Sequence, residues 1–188
     1  ADLITVLAQI RDAGESSKEI ISHVRDFVSR RQPPSQKESL QDIVQDVNQL
    51  LHSLITQHNV RTEMRFPGGG AEVLVSRIEI EQVVFNLLKN SIDSFALSGT
   101  ESPLIQVFVN QINNRFYEVL VKDNGPGIDH SMVDDIFKPY VTNKLTGLGM
   151  GLSISQTIIE GHGGRLSLVD TDEPGCCFRF TLLRFQHD

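Results

Sequence analysis

The sequence holds only two cysteines, Cys176 and Cys177, and because they are adjacent an ordinary framework disulfide is excluded. No Cys/His spacing suggests zinc, and a reducing compartment suits such a chain best. No apolar run approaches twenty residues and no signal peptide opens the chain, so this piece reads as soluble, with no membrane contact of its own. A longer parent anchored in an inner membrane stays compatible with that. Basic runs are missing too: acidic and basic residues are interspersed along 188 residues of net charge −7. That argues against a nucleic-acid surface and leaves no cluster for anionic lipid. What remains is a cytoplasmic chain long enough for one domain with a real core, plus an appendage.

The appendage is residues 1–34. Leu3, Leu7, Ile10, Gly14, Ser17, Ile21, Val24 and Val28 follow the alternating four-and-three spacing of a coiled-coil or bundle seam, weakened in the middle by Gly14 and Ser17. Pro33-Pro34 ends that helix, since neither proline donates to a continuing helix and the first disfavours helical geometry at Gln32. A domain of residues 35–188 follows.

Within it, Ile43, Val44, Val47, Leu50, Leu51, Leu54 and Ile55 predict an amphipathic helix over 40–58. A strand near Val60–Phe66 comes next, then Pro67-Gly68-Gly69-Gly70 as a hairpin turn into a strand at Glu72–Val75. Leu104–Asn110 with Phe116–Lys122, and Gly164–Val169 with Cys177–Phe185, read as two more hairpins. The fold class is therefore an α/β (α+β) sandwich, a mixed and largely antiparallel sheet with helices on one face.

The chemistry concentrates between Asp123 and Ile154. Asp123 ends an alternating, β-branched run, and Asp123-Asn124-Gly125-Pro126-Gly127-Ile128 follows. A carboxylate fixed there can accept from an exocyclic amine such as adenine N6, while Gly125 and Gly127 let the backbone approach a flat base. A plain Gly-Pro turn with a solvated Asp would read the same in isolation. Downstream, Gly147-Leu148-Gly149-Met150-Gly151-Leu152 leads into an apolar-periodic helix, so free amides and the helix dipole favour an anion, with Lys144 adding a charge. The spacing matches neither the dinucleotide fingerprint nor the P-loop, and alone this loop says little. Upstream, Asn86, Lys89 and Asn90 recur at helical spacing on one side of an otherwise apolar helix. A buried Asn can cap or back-bond; it can equally be a neutral oxygen ligand for Mg²⁺.

Taken together, the Asn-bearing helix, Asp-x-Gly-x-Gly, Phe137-Lys138-Pro139-Tyr140 and Gly-x-Gly-x-Gly-Leu, in that order, resemble the N, G1, F and G2 boxes of sensor histidine kinases over roughly residues 36–185. That ATP-binding domain belongs to the GHKL superfamily, shared with DNA gyrase, the MutL repair proteins and a heat-shock chaperone. The resemblance implies ATP and ADP as ligands with Mg²⁺. It implies Asn90 on the metal, Asp123 on the adenine amine, and Asn86, Lys89, Lys144, Gly147, Gly149 and Gly151 around the phosphates, with Thr142 and Leu152 also in the nucleotide site. Gly125, Gly127 and Ile128 would line the base, and residues 138–150 would form a lid. In the last hairpin the family's Gly-Ala-Thr-Phe stands here as Gly175-Cys176-Cys177-Phe178, a change expected to be neutral packing at Cys177.

Residues 20–28 resemble the second helix of the family's dimerisation hairpin. No acceptor motif is found, because His23 is followed by Val24-Arg25-Asp26 rather than an acidic residue and a proline. The catalytic histidine is thus expected outside this chain, on a partner helix. A response regulator receiver domain would take the phosphoryl group onward, and the parent would be a homodimer. Hydrolytic members of the superfamily place a glutamate general base one turn before the magnesium Asn, and here Asn86 stands there. An amide cannot take a proton, so kinase is favoured over ATPase. The alternatives are an anti-sigma-type protein serine kinase and a nucleotide-sensing interaction module without kinase activity.

Overall fold

A computed structural model describes residues 35–68, 70–142, 149–171 and 173–185. The seam of residues 1–31, with His23, lies outside them, as do Lys144 and Gly147.

The longest element among the described residues carries the fold. Helix α3 (Arg77–Ser98) buries Ile80, Val83, Val84, Leu87, Leu88, Ser91, Ile92 and Phe95, a stripe wide enough to pack on a sheet and on helices to either side. Gly99 ends it in the left-handed conformation, its amide returning to the Phe95 carbonyl. On one flank lies α1 (Leu40–Leu50), which buries Leu40, Ile43, Val44 and Val47 and starts at Ser39, whose hydroxyl accepts the Asp42 amide at 3.3 Å. On the other lies α4 (Gly151–Gly161).

Beneath these helices runs a five-stranded sheet. Strands β2 (Arg61–Arg65), β4 (Leu104–Gln111), β5 (Phe116–Asp123), β6 (Leu166–Leu168) and β7 (Cys176–Leu183) lie in the order β2-β4-β5-β7-β6. Only β2 with β4 is parallel. The expected sandwich is thus formed, with both of the later hairpins in place. Strand β5 alternates strictly: Tyr117, Val119, Val121 and Asp123 are buried and the residues between them are not. That register carries the site, because it drives a carboxylate into the fourth slot of an otherwise apolar row.

Two expectations near the beginning of the domain are corrected. The helix over 40–58 breaks at Leu51 into α1 and a short α2 (His52–Gln57), although the amides of Leu51 and Ile55 still reach back one turn. The hairpin across Pro67–Gly70 does not form. Strand β3 (Glu72–Val75) leaves the main sheet and pairs antiparallel with β1 (Gln36–Ser39), while β2 pairs in parallel with β4. Val73 and Val75 can then face the core, and the Leu40 amide reaches the Ala71 carbonyl at 3.0 Å. Strand β1 is polar, with no alternation to announce it. Its pairing rests on backbone bonds and on Lys37 meeting Glu72 at 2.9 Å.

Candidate functional site

Asp123 is 6% exposed, a charge set among hydrophobes. Such a group is tolerable only with donors around it, and three are supplied. Oδ1 accepts the amides of Gly125 at 2.9 Å and Cys176 at 3.2 Å, and Oδ2 accepts the Ser91 hydroxyl at 2.7 Å. Burial pushes the Asp123 carboxyl above its ordinary pKa, and the three donors pull the other way, Ser91 most.

The turn after Asp123 is built to stay close to it. Asn124 staples it to the start of β4, its Oδ1 accepting the Leu104 amide at 2.7 Å and its Nδ2 donating to the Ser102 carbonyl at 3.1 Å. A Cβ on Gly125 would stand 3.0 Å from both Asp123 Oδ1 and Ser94 Oγ. Gly127 has φ +79°, and Ile128 packs partly buried against the core. From the neighbouring strand comes Gly175 at φ +116°, where a Cβ would fall 1.9 Å from the Asp123 carbonyl oxygen. Only glycine lets β7 begin beside Asp123.

The register also settles the two cysteines. Cys176 is the Cα partner of Asp123 and Cys177 of Lys122, so Cys176 shares the carboxylate's face while Cys177 points to the other. Cys177 is buried away from the carboxylate, and the neighbour of the carboxylate is Cys176. Burial, and after it the Asp123 charge, push the Cys176 thiol well above its ordinary pKa, so it stays neutral.

On α3, Asn86 donates through Nδ2 to the Gly151 carbonyl at 3.3 Å and to Ser155 Oγ at 3.2 Å, fastening α3 to the first turn of α4. Lys89 pairs with Asp93 one turn on at 2.6 Å. Asn90 is half-buried one turn after Asn86, on the same side. Among the described residues the N-terminus of α4 has no side-chain cap. Leu152 packs partly buried on the core just inside it.

A backbone clasp joins the two described ends of the segment expected to be a lid. Tyr140, at φ +67°, donates its amide to the Gly149 carbonyl at 3.1 Å. Gly149, at φ +64°, lies so close to this stretch that a Cβ would be 2.6 Å from the Val141 carbonyl oxygen. Thr142, exposed, leads out of the clasp. The structure therefore brings Asn86, Lys89 and Asn90 together on α3, with Asp123, Gly125, Gly127 and Ile128 at the end of β5. Gly149, Gly151 and Leu152 stand where α4 begins. Ser91 is the site residue that sequence reasoning missed; a polar residue in phase with Leu87, Leu88, Ile92 and Phe95 was the available signal.

No helix among the described residues is long and apolar enough to cross a membrane. Residues 75–186 match the family model described as histidine kinase-, DNA gyrase B-, and HSP90-like ATPase. The sensor protein TdiS of Thauera aromatica is 36% identical over 170 residues, covering 89% of this chain and 31% of that protein. The sensor protein FixL of Bradyrhizobium diazoefficiens is 34% identical over 164 residues, covering 87% of this chain and 32% of its own length. This chain thus spans about a third of the curated relatives it matches. Among solved structures, the nucleotide-free catalytic domain of histidine kinase ThkA superposes with a TM-score of 0.71 at 28% identity, covering 80% of this chain and 95% of that one. A complex of ThkA with the response regulator protein TrrA gives 0.77 at 23% identity, over 98% of this chain and 53% of that one, a likeness of fold alone.

Proposed function

Because this chain belongs to the histidine kinase-, DNA gyrase B- and HSP90-like ATPase family, whose domain binds nucleotide, we propose that it is the ATP-binding catalytic domain of a sensor histidine kinase. Residues 35–188 are that domain, and residues 1–34 are the end of a dimerisation hairpin. The observation that carries the reading is Asp123, a buried carboxylate at the end of β5 with donors on both of its oxygens.

In this reading an adenine lies against Gly125, Gly127 and Ile128 and gives its exocyclic amine to Asp123. The phosphates run toward the open end of α4 at Gly149, Gly151 and Leu152, with Lys89, Thr142, Lys144 and Gly147 adding charge and donors. Asn90 offers one neutral amide oxygen. That suits Mg²⁺, which keeps waters and phosphate oxygens for the rest of its shell, and bound metal would shield the charge between the phosphoryl groups. Asn86 does two things: it holds α4 in place, and it cannot act as a base toward water. The γ-phosphoryl group is thereby left for an imidazole brought by a partner helix, attacking in line, and a response regulator receives it afterwards.

Incubating the chain with γ-labelled ATP and Mg²⁺, then with a hairpin fragment bearing an acceptor histidine, tests this. Acid-labile label on the fragment is the expected result. Acid-stable label on serine would instead indicate a protein serine kinase, and nucleotide binding with no transfer a sensing module.

A further inference from the structure

Ser91 sits where the apolar stripe of α3 calls for a hydrophobe, 4% exposed and in phase with Leu87, Leu88, Ile92 and Phe95. A hydroxyl in that row loses its water and needs a partner. Its one proton goes to Asp123 Oδ2 at 2.7 Å, the Leu87 carbonyl being farther away at 3.4 Å. The next serine is not a competitor, since Ser94 donates to the Ser91 carbonyl at 2.8 Å.

A carboxylate offers about four acceptor positions. On Asp123 the two of Oδ1 are taken by the amides of Gly125 and Cys176, and one of Oδ2 by Ser91. Among the described residues a single position is left, on the oxygen that Ser91 holds. The two amides are backbone and come with the turn and the strand; Ser91 is the one donor among the three that a side-chain change removes. We infer that Ser91 is a positioning residue for base recognition, whose hydroxyl orients the Asp123 carboxylate so that its last free acceptor position meets one donor of the nucleotide base. This rests on the reading of Asp123 as the base-recognising group.

The hydroxyl also bears on charge. Burial favours the protonated acid, and Ser91 is the largest opposing influence. Around Asp123, the β7 neighbour Cys176 carries a neutral thiol, Lys122 on the opposite face pairs with Glu173, and on α3 Lys89 pairs with Asp93. A protonated Asp123 would present a donor to the base amine, so ATP affinity falls as pH drops through the Asp123 pKa. Without Ser91 that fall begins at higher pH.

The test compares ATP with purine riboside triphosphate, which lacks the exocyclic amine, by calorimetry from pH 5 to 8 on the full chain. Ser91→Ala, and the near-isosteric Ser91→Cys with its weak donor, are expected to lower ATP affinity about five- to tenfold at pH 7. The analogue should stay within about twofold of wild type, because it forfeits only an interaction it never makes. The pH at which ATP binding is half lost should rise. If both nucleotides weaken alike, or that midpoint does not move, Ser91 is merely structural and the inference falls. Asp123→Asn separates the two readings. If that variant still prefers ATP over the analogue, base recognition by Asp123 is wrong. If it loses the preference while Ser91→Ala keeps it, only the role of Ser91 is overturned.

Discussion

A single residue shows how function and stability oppose each other here. Asp123 is held above its ordinary pKa, so between its unfolded and folded values the native state binds more protons than the unfolded one. Its contribution therefore has an unusual sign: the folded state is relatively favoured at low pH and loses that advantage as pH rises through the same window. Asp123→Asn removes this penalty and keeps an oxygen for the amides of Gly125 and Cys176. It is expected to match or exceed wild type in thermal stability at pH 7, by up to about 1 kcal/mol, and to lose that advantage near pH 4. ATP affinity should fall strongly in the same variant; melting curves at both pH values with calorimetry check the pair. Gly175→Ala should act oppositely, costing about 3 kcal/mol or more because its Cβ collides with the Asp123 carbonyl, with both folding and binding impaired. Asp123 was legible in the sequence because strand alternation and the glycines after it speak locally. Ser91 was not, because its partner is 32 residues away and a lone serine in an apolar stripe has many ordinary explanations.

Among the elements, α3 was legible in its middle, where apolar spacing and polar residues are local signals; its end at Gly99 was not. What those polar residues do was only half visible. The resemblance implies that Asn86 takes the place of a hydrolase's glutamate, and its amide nitrogen also ties two helices, which no single-helix pattern announces. Replacing it by Glu tests both roles at once. The carboxylate would face the Gly151 carbonyl, so a loss of about 1–3 kcal/mol in stability is expected, measured by urea unfolding. Any nucleotide-bound fraction should hydrolyse ATP faster than wild type under a phosphate-release assay, since a base has been restored near the water's path. Strands β1 and β3 were mislaid for the complementary reason. The turn Pro67–Gly70 looks like a hairpin, yet it launches β3 out of the main sheet, and β1 is too polar to advertise itself.

At the scale of the molecule, the division between appendage and domain was drawn from two prolines, and the packing of β1 makes it testable. Arg77 at the head of α3 reaches Glu38 in β1 at 3.0 Å and Glu81 at 2.7 Å, so the strand belongs to the folded unit. A chain beginning at Ser35 is expected to melt cooperatively and to bind ATP like the whole. One beginning at Leu40 loses β1, the Ser39 cap and the Glu38 pair, and should unfold at a clearly lower temperature in calorimetry. The same small sheet has a mechanical meaning. The far end of the unit returns to it: the Phe185 amide donates to the Glu72 carbonyl at 2.8 Å, and Lys37 of β1 stands 5.3 Å from the centre of the Phe185 ring. Entry and exit of the folded unit are thus neighbours, on one edge. A pull on either connection is therefore borne first by the bonds of that corner, the Phe185 amide on Glu72 and the pairing of β1 with β3. Closing Phe185 onto Ser35 with a short linker and reopening the chain in the turn at Asn113-Asn114 should then yield a circular permutant that still folds.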